Sequence, residues 1–333
     1  TVAGNGASGS TDGVGTAARF RQPVGVCLDG VGGLYVADYG NHLIRRVDIA
    51  TRAVTTVAGV AGSSGTTVGA TPLLSKFYGP AGVEVDSVGN VYLADHHNHA
   101  IRMLSGVWVA GSMTGALGFA NADAGTSALF NYPEVVRADV ASGLLYVADY
   151  INSQVRTIVA TGSHAVATLA TFPDNVLDIA LDSAARIMYV SVRHSVYVVT
   201  YAGVSTLLAG AASTASYVDG TGSNARFDYI SGLALDTTTG VLYVVDQNNN
   251  RIRQITTSDG ATTTLAGSGS AAFTDGIGTA AAFSRPWGVS RNSATGALYI
   301  CEFNNNAIRL VQLPLAPTFF AAAPLPPSPL API

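Results

Sequence analysis

Leu34-Tyr35-Val36-Ala37-Asp38-Tyr39-Gly40-Asn41-His42-Leu43-Ile44-Arg45 joins an apolar run ending in an acid to a polar turn and a second run opening on Ile-Arg. The first run is apolar at consecutive positions, which predicts a strand buried on both faces. It recurs as Val91-Tyr92-Leu93-Ala94-Asp95, Leu145-Tyr146-Val147-Ala148-Asp149, Met188-Tyr189-Val190-Ser191-Val192, Leu242-Tyr243-Val244-Val245-Asp246 and Leu298-Tyr299-Ile300-Cys301-Glu302. The tyrosines are spaced by 57, 54, 43, 54 and 56 residues, room for one four-stranded sheet and a loop. Around each lie the same parts. A Gly-Val strand such as Pro23-Val24-Gly25-Val26 comes first, then a turn such as Asp86-Ser87-Val88-Gly89, where Asp bonds its own backbone and Gly takes positive φ. After the Tyr strand come the Ile-Arg strand and a Thr/Val strand such as Val54-Thr55-Thr56-Val57-Ala58-Gly59. Six such units predict an all-β six-bladed β-propeller of four-stranded antiparallel blades.

The sixth unit ends after its third strand, near Gln312, while Thr1-Val2-Ala3-Gly4 matches the fourth strand of the others. The N-terminal strand is therefore expected to close the last blade and leave no open seam. Residues 1–313 form the propeller in this reading; residues 314–333, rich in Pro and Ala, are a tail or linker. The connections between units carry Asp-Gly pairs (Asp12, Asp219, Asp275), expected to be turns. They end in Phe20, Phe77, Phe130, Phe227 and Phe283, expected to plug between blades. Asp38, Asp95, Asp149 and Asp246 each precede an Arg by seven residues across a hairpin turn. Repetition makes them braces, since a catalytic group has no use for so many copies. The fourth unit lacks this Asp and Arg, and its entry, Ala170 to Asn175, is short.

Charged residues make up 11% of the chain and the net charge is −4, with no Lys/Arg cluster. A nucleic-acid partner, which needs a basic patch, is not expected. A surface built from Ser, Thr, Asn and Gly suits an extracellular or cell-surface setting. Thr1 in place of Met suggests a fragment or processed product, with any membrane tether outside the chain, and a monomeric domain is expected. Cys27 and Cys301 lie in apolar strands and read as buried thiols, a disulfide across neighbouring blades being the alternative.

Asp38 to Arg45 contains Asn41-His42-Leu43, and Asp95 to Arg102 repeats it closely. Asp246 to Arg253 and Glu302 to Arg309 keep the acid, the Asn and the Ile-Arg, with Asn250 and Asn306 in place of His; Ser153 stands there in the third unit. In these features the chain resembles the NHL-repeat β-propeller family. The resemblance implies the fold but not one activity, because relatives include RNA-binding regulators, a zinc-dependent lyase, a receptor sensor and adhesion proteins.

Second-to-third-strand turns and blade connections lie on one face of such a propeller, and that face is expected to bind. Its candidate residues are Tyr39, His42, His96, His97, His99, Tyr150, His194 and Phe303, with Tyr217 a further aromatic. No catalytic residue, cofactor or metal ligand is assigned. A zinc site like that of the related lyase would need three histidines from separate blades at the channel mouth, whereas the repeat position carries His only at His42 and His99. Gly4-Asn5-Gly6-Ala7-Ser8-Gly9 fits a dinucleotide fingerprint but no βαβ unit follows it. The expectation is a non-catalytic module that binds a protein or carbohydrate; the alternative is a metal-assisted lyase or hydrolase at the channel mouth.

Overall fold

The computed structural model describes residues 1–212 and 214–313; the tail expected at 314–333 lies outside the described residues. Six antiparallel sheets follow one another along the chain. Blade one consists of Pro23–Leu28, Gly33–Asp38, Leu43–Asp48 and Ala53–Ala58, from the axis outward. The inner strands of the other blades are Pro80–Val85, Pro133–Asp139, Val176–Asp182, Ile230–Asp236 and Pro286–Arg291. Each inner strand touches the next, and that of blade six touches that of blade one, so the ring closes.

The Tyr strands are buried as the sequence predicts: Val91–Asp95 and Leu298–Glu302 are buried at every residue. Outer strands such as Ala53–Ala58 mix buried and exposed positions, as a sheet edge facing water requires. Phe20, Phe77, Phe130, Phe172, Phe227 and Phe283 each sit in an apolar cluster built from two adjacent blades. The phenylalanines are the inter-blade plugs, with Phe172 serving the short fourth entry.

The N-terminal segment closes the last blade as expected, and two details differ from the sequence reading. Ring closure rests on a bridge, not a full fourth strand: Val2 N–H donates to Ile308 O at 2.8 Å and Ile308 N–H to Ala3 O at 2.8 Å. Gly4, at φ +84°, then turns the chain away; a Cβ there would lie 2.4 Å from Asn306 O. The Asp-Gly segments are more than turns, because Gly13–Val14 and Gly220–Thr221 pair as a short fifth strand outside the outer strands of blades one and five. Both cysteines are free thiols as expected, Cys301 buried and Cys27 only partly so.

The inner strands press together at mid-height. A Cβ on Gly25 would lie 2.1 Å from Ala81 O, and one on Gly288 would lie 2.3 Å from Val24 O. Glycine is what permits this approach. It pinches the axial channel at its waist, leaving a bowl on each face.

Candidate binding bowl on the loop face

The repeated acid and Arg form the frame under the bowl. Arg45 donates to Asp38 at 2.9 Å, Arg102 to Asp95 at 2.8 Å, Arg156 to Asp149 at 2.8 Å and Arg253 to Asp246 at 2.7 Å, all with fully buried side chains. Glu302 and Arg309 make the same pair in blade six. Each guanidinium also donates to carbonyls of the incoming connection, as Arg45 does to Arg19 O and Thr11 O, and lies about 5 Å from the plug ring. Asp12, Asp219 and Asp275 bind the same arginines from outside, at 2.7, 2.6 and 2.7 Å. Burial pushes the Asp38 and Asp246 carboxyls up to about 6 and Glu302 up to about 7, against the pull of their arginines and hydrogen bonds.

Three of the candidate histidines act as clasps between blades. His42 Nδ1 accepts the Gly79 N–H at 3.1 Å, His99 Nδ1 the Tyr132 N–H at 3.1 Å and His194 Nδ1 the Tyr229 N–H at 3.2 Å. Asn250 and Asn306 do the same with Oδ1, accepting from Arg285 and Gln22, each at 2.9 Å. This equivalence explains why Asn replaces His in the repeat. Burial lowers the pKa of all three histidines, as suits rings whose Nδ1 must stay unprotonated to accept. At the third junction Ser153 makes no such clasp, and Asn175 instead donates to Tyr150 O at 3.1 Å.

The remaining candidates reach the axis or its rim. His96, Tyr39, Tyr150 and Phe303 line a bowl of about 210 Å³ together with Tyr229 and Trp287. Its floor is a hydrogen bond across the ring, from the Trp287 indole in blade six to Glu134 Oε1 in blade three, at 3.0 Å. His96 Nδ1 contacts both Glu134 Oε2 at 3.1 Å and Pro133 O at 3.2 Å; two acceptors make Nδ1 the donor. His97 turns sideways, sharing a 2.6 Å hydrogen bond with the Tyr39 hydroxyl and packing on Tyr78 at 4.6 Å. Burial and the neighbouring histidines hold His97 down to about 4, and burial raises Tyr39 to about 12, so this pair is neutral at pH 7. Tyr150 and Tyr229 join hydroxyls at 2.8 Å. Arg285, exposed on the rim, stacks 5.3 Å from Phe303 and 5.9 Å from Trp287. Tyr217 lies elsewhere, over Arg251 at 3.7 Å.

A model of the NHL repeat matches residues 20–46, the first unit. NHL repeat-containing protein 2 of Bos taurus is 27% identical over 335 residues, covering 92% of this chain. The chain carries an NHL repeat in a six-bladed propeller, and these matches support its assignment to the NHL-repeat family. It spans 41% of the length of that relative. An auxiliary nutrient binding protein from Bacteroides thetaiotaomicron superposes with a TM-score of 0.71 at 18% identity, over 93% of this chain and 75% of that one. The Xanthomonas campestris gluconolactonase XC5397 gives 0.59 at 14%, over 89% and 87%. At these identities the likeness is one of fold.

Sequence reasoning missed Glu134, Tyr229, Arg285 and Trp287 of the NHL propeller's bowl. Glu134 and Trp287 fill an inner-strand position that carries Val24, Ala81, Leu177 and Ser231 in the other blades. That break in the pattern was the available signal. On the opposite face a second bowl, about 260 Å³, holds Arg137 between Glu84 at 3.2 Å and Asp178 at 2.7 Å. Cys27 opens on it with a thiol pKa raised by burial, which makes it a poor nucleophile. Among the described residues no three His, Cys, Asp or Glu side chains are placed to hold a metal ion.

Proposed function

We propose that this propeller is a non-catalytic binding module that takes its ligand, a protein side chain or a sugar residue, into the loop-face bowl. One observation carries the reading: aromatic side chains from four blades converge on a floored cavity at the axis. Aromatic walls offer apolar area at low entropic cost, and a few polar groups in the floor give direction. A cavity of about 210 Å³ suits one ring or side chain rather than an extended chain. The nutrient-binding name of a structural neighbour agrees with this use of the fold. The sparse charge of the chain favours an extracellular or cell-surface setting.

Glycan and peptide arrays test the reading when probed with the wild type and a Tyr150→Ala/Phe303→Ala variant. Ligands retained by the wild type and lost by the variant are expected. Equal retention by both proteins would move the site away from the bowl.

A further inference from the structure

Among the described residues, the buried carboxylates of this protein come in two kinds. Asp38, Asp95, Asp149, Asp178, Asp236, Asp246 and Glu302 each pair with an arginine. Asp139 and Glu134 do not. Asp139 bonds the backbone of its own surface turn, through the Ala141 N–H at 3.2 Å. Glu134 is 5% exposed, has only the Trp287 indole and the His96 imidazole as partners, and lines the bowl. A buried carboxylate gains most from a cation, and the walls here are the faces and edges of Tyr39, Tyr150, Tyr229, Trp287 and Phe303.

We infer that the bowl is a receptor for an organic cation, with the aromatic walls around the charged head and Glu134 beneath it. This rests on the bowl being the binding site and adds the charge of what enters. Glu134 Oε1 accepts the Trp287 indole N–H and Oε2 lies 3.1 Å from His96 Nδ1, leaving lone pairs for a guanidinium or primary ammonium. A quaternary ammonium has no proton to give and gains only the aromatic and coulombic part. Arg285 already lays a guanidinium against Phe303 and Trp287, outside ion-pair distance of Glu134. It acts as an internal competitor at the rim.

The chain has two tryptophans, Trp108 and Trp287, so the indole N–H resonance of Trp287 reports the floor directly. Nα-acetyl-arginine amide, choline and methyl β-glucoside are titrated separately into the intact chain. Both cations are expected to shift this resonance, and the sugar to leave it unmoved. A stronger response to the arginine amide points to a protein side chain as the source; a stronger response to choline points to a quaternary headgroup. Glu134→Gln should weaken cation binding about tenfold or more. Arg285→Gln, an exposed change that leaves the fold alone, should strengthen it severalfold. A shift by the sugar and not by the cations overturns the charge assignment while the bowl reading stands. Weaker cation binding in Arg285→Gln overturns it as well, because that marks Arg285 as a ligand-binding donor. Silence from all three probes refutes the cation receptor; the array experiment with Tyr150→Ala/Phe303→Ala then decides whether the bowl reading falls too.

Discussion

Replacing Arg156 by Tyr in blade three tests what the brace contributes. Its guanidinium donates to Asp149 at 2.8 Å, Leu129 O at 3.2 Å, Ala120 O at 2.9 Å and Asn121 Oδ1 at 2.8 Å. Burial raises the Asp149 pKa and lowers that of Arg156, so both are pushed toward neutrality and desolvation outweighs attraction. Such a pair adds little net stability but is costly to break, because the remaining carboxylate is buried without its cation. The single variant should lose about 3–5 kcal/mol. Blade four supplies the remedy, with Val192 in place of the Asp and Tyr197 in place of the Arg, the Tyr packed 5.5 Å from Phe172. Adding Asp149→Val to Arg156→Tyr removes the stranded charge. The Leu129 and Ala120 carbonyls and the Asn131 N–H still lose partners, at about 0.5–1 kcal/mol each, so the double variant should lose about 2 kcal/mol. Urea unfolding followed by circular dichroism measures both. A double variant no more stable than the single would refute the argument, showing the stranded carboxylate to be harmless.

The His clasps predict an acid-sensitive fold. Their pKa values are lowered on folding, so the native state binds fewer protons; stability is full above the ordinary histidine value of about 6.5 and declines as pH falls below it. His42→Asn/His99→Asn/His194→Asn, copying Asn250 and Asn306, should match the wild type at pH 7.5 and flatten the stability profile between pH 6.5 and 4.5, read by thermal melts. Gln247 is fully buried with neither amide atom hydrogen-bonded to protein, so Gln247→Met should raise stability by about 1 kcal/mol in urea titrations. Gly288→Ala places a methyl 2.3 Å from Val24 O and should cost about 1–3 kcal/mol in the same assay. An unchanged midpoint there would mean that the inner ring is looser than the structure has it.

What could be read from the sequence was what repeats. Tyr35 and its equivalents, the Phe plugs and the acid–Arg braces recur in register, so each copy identifies the others. The partnership of Asp12, Asp219 and Asp275 with those arginines was not legible, since 33 or more residues separate each pair and only the folded blade brings them together. Histidines suggested a surface for recognition, yet His42, His99 and His194 point Nδ1 at the next blade. A backbone N–H in the following unit leaves no trace in the local sequence. The bowl floor was hidden for the opposite reason, because Glu134 and Trp287 occur once each and belong to blades three and six.

That contrast follows from the geometry of a ring. A side chain on an outer strand meets only its own blade and one neighbour, so a change there repeats harmlessly or is selected as a brace. At the axis the inner strands are close enough for opposite blades to touch, as Glu134 and Trp287 do across 153 residues of chain. Sixfold repetition of either would fail: six carboxylates would repel at one point, and six indoles exceed a cavity of about 210 Å³. The axis therefore selects for singular residues. An irregular inner-strand position marks the site of a propeller better than any conserved-looking turn.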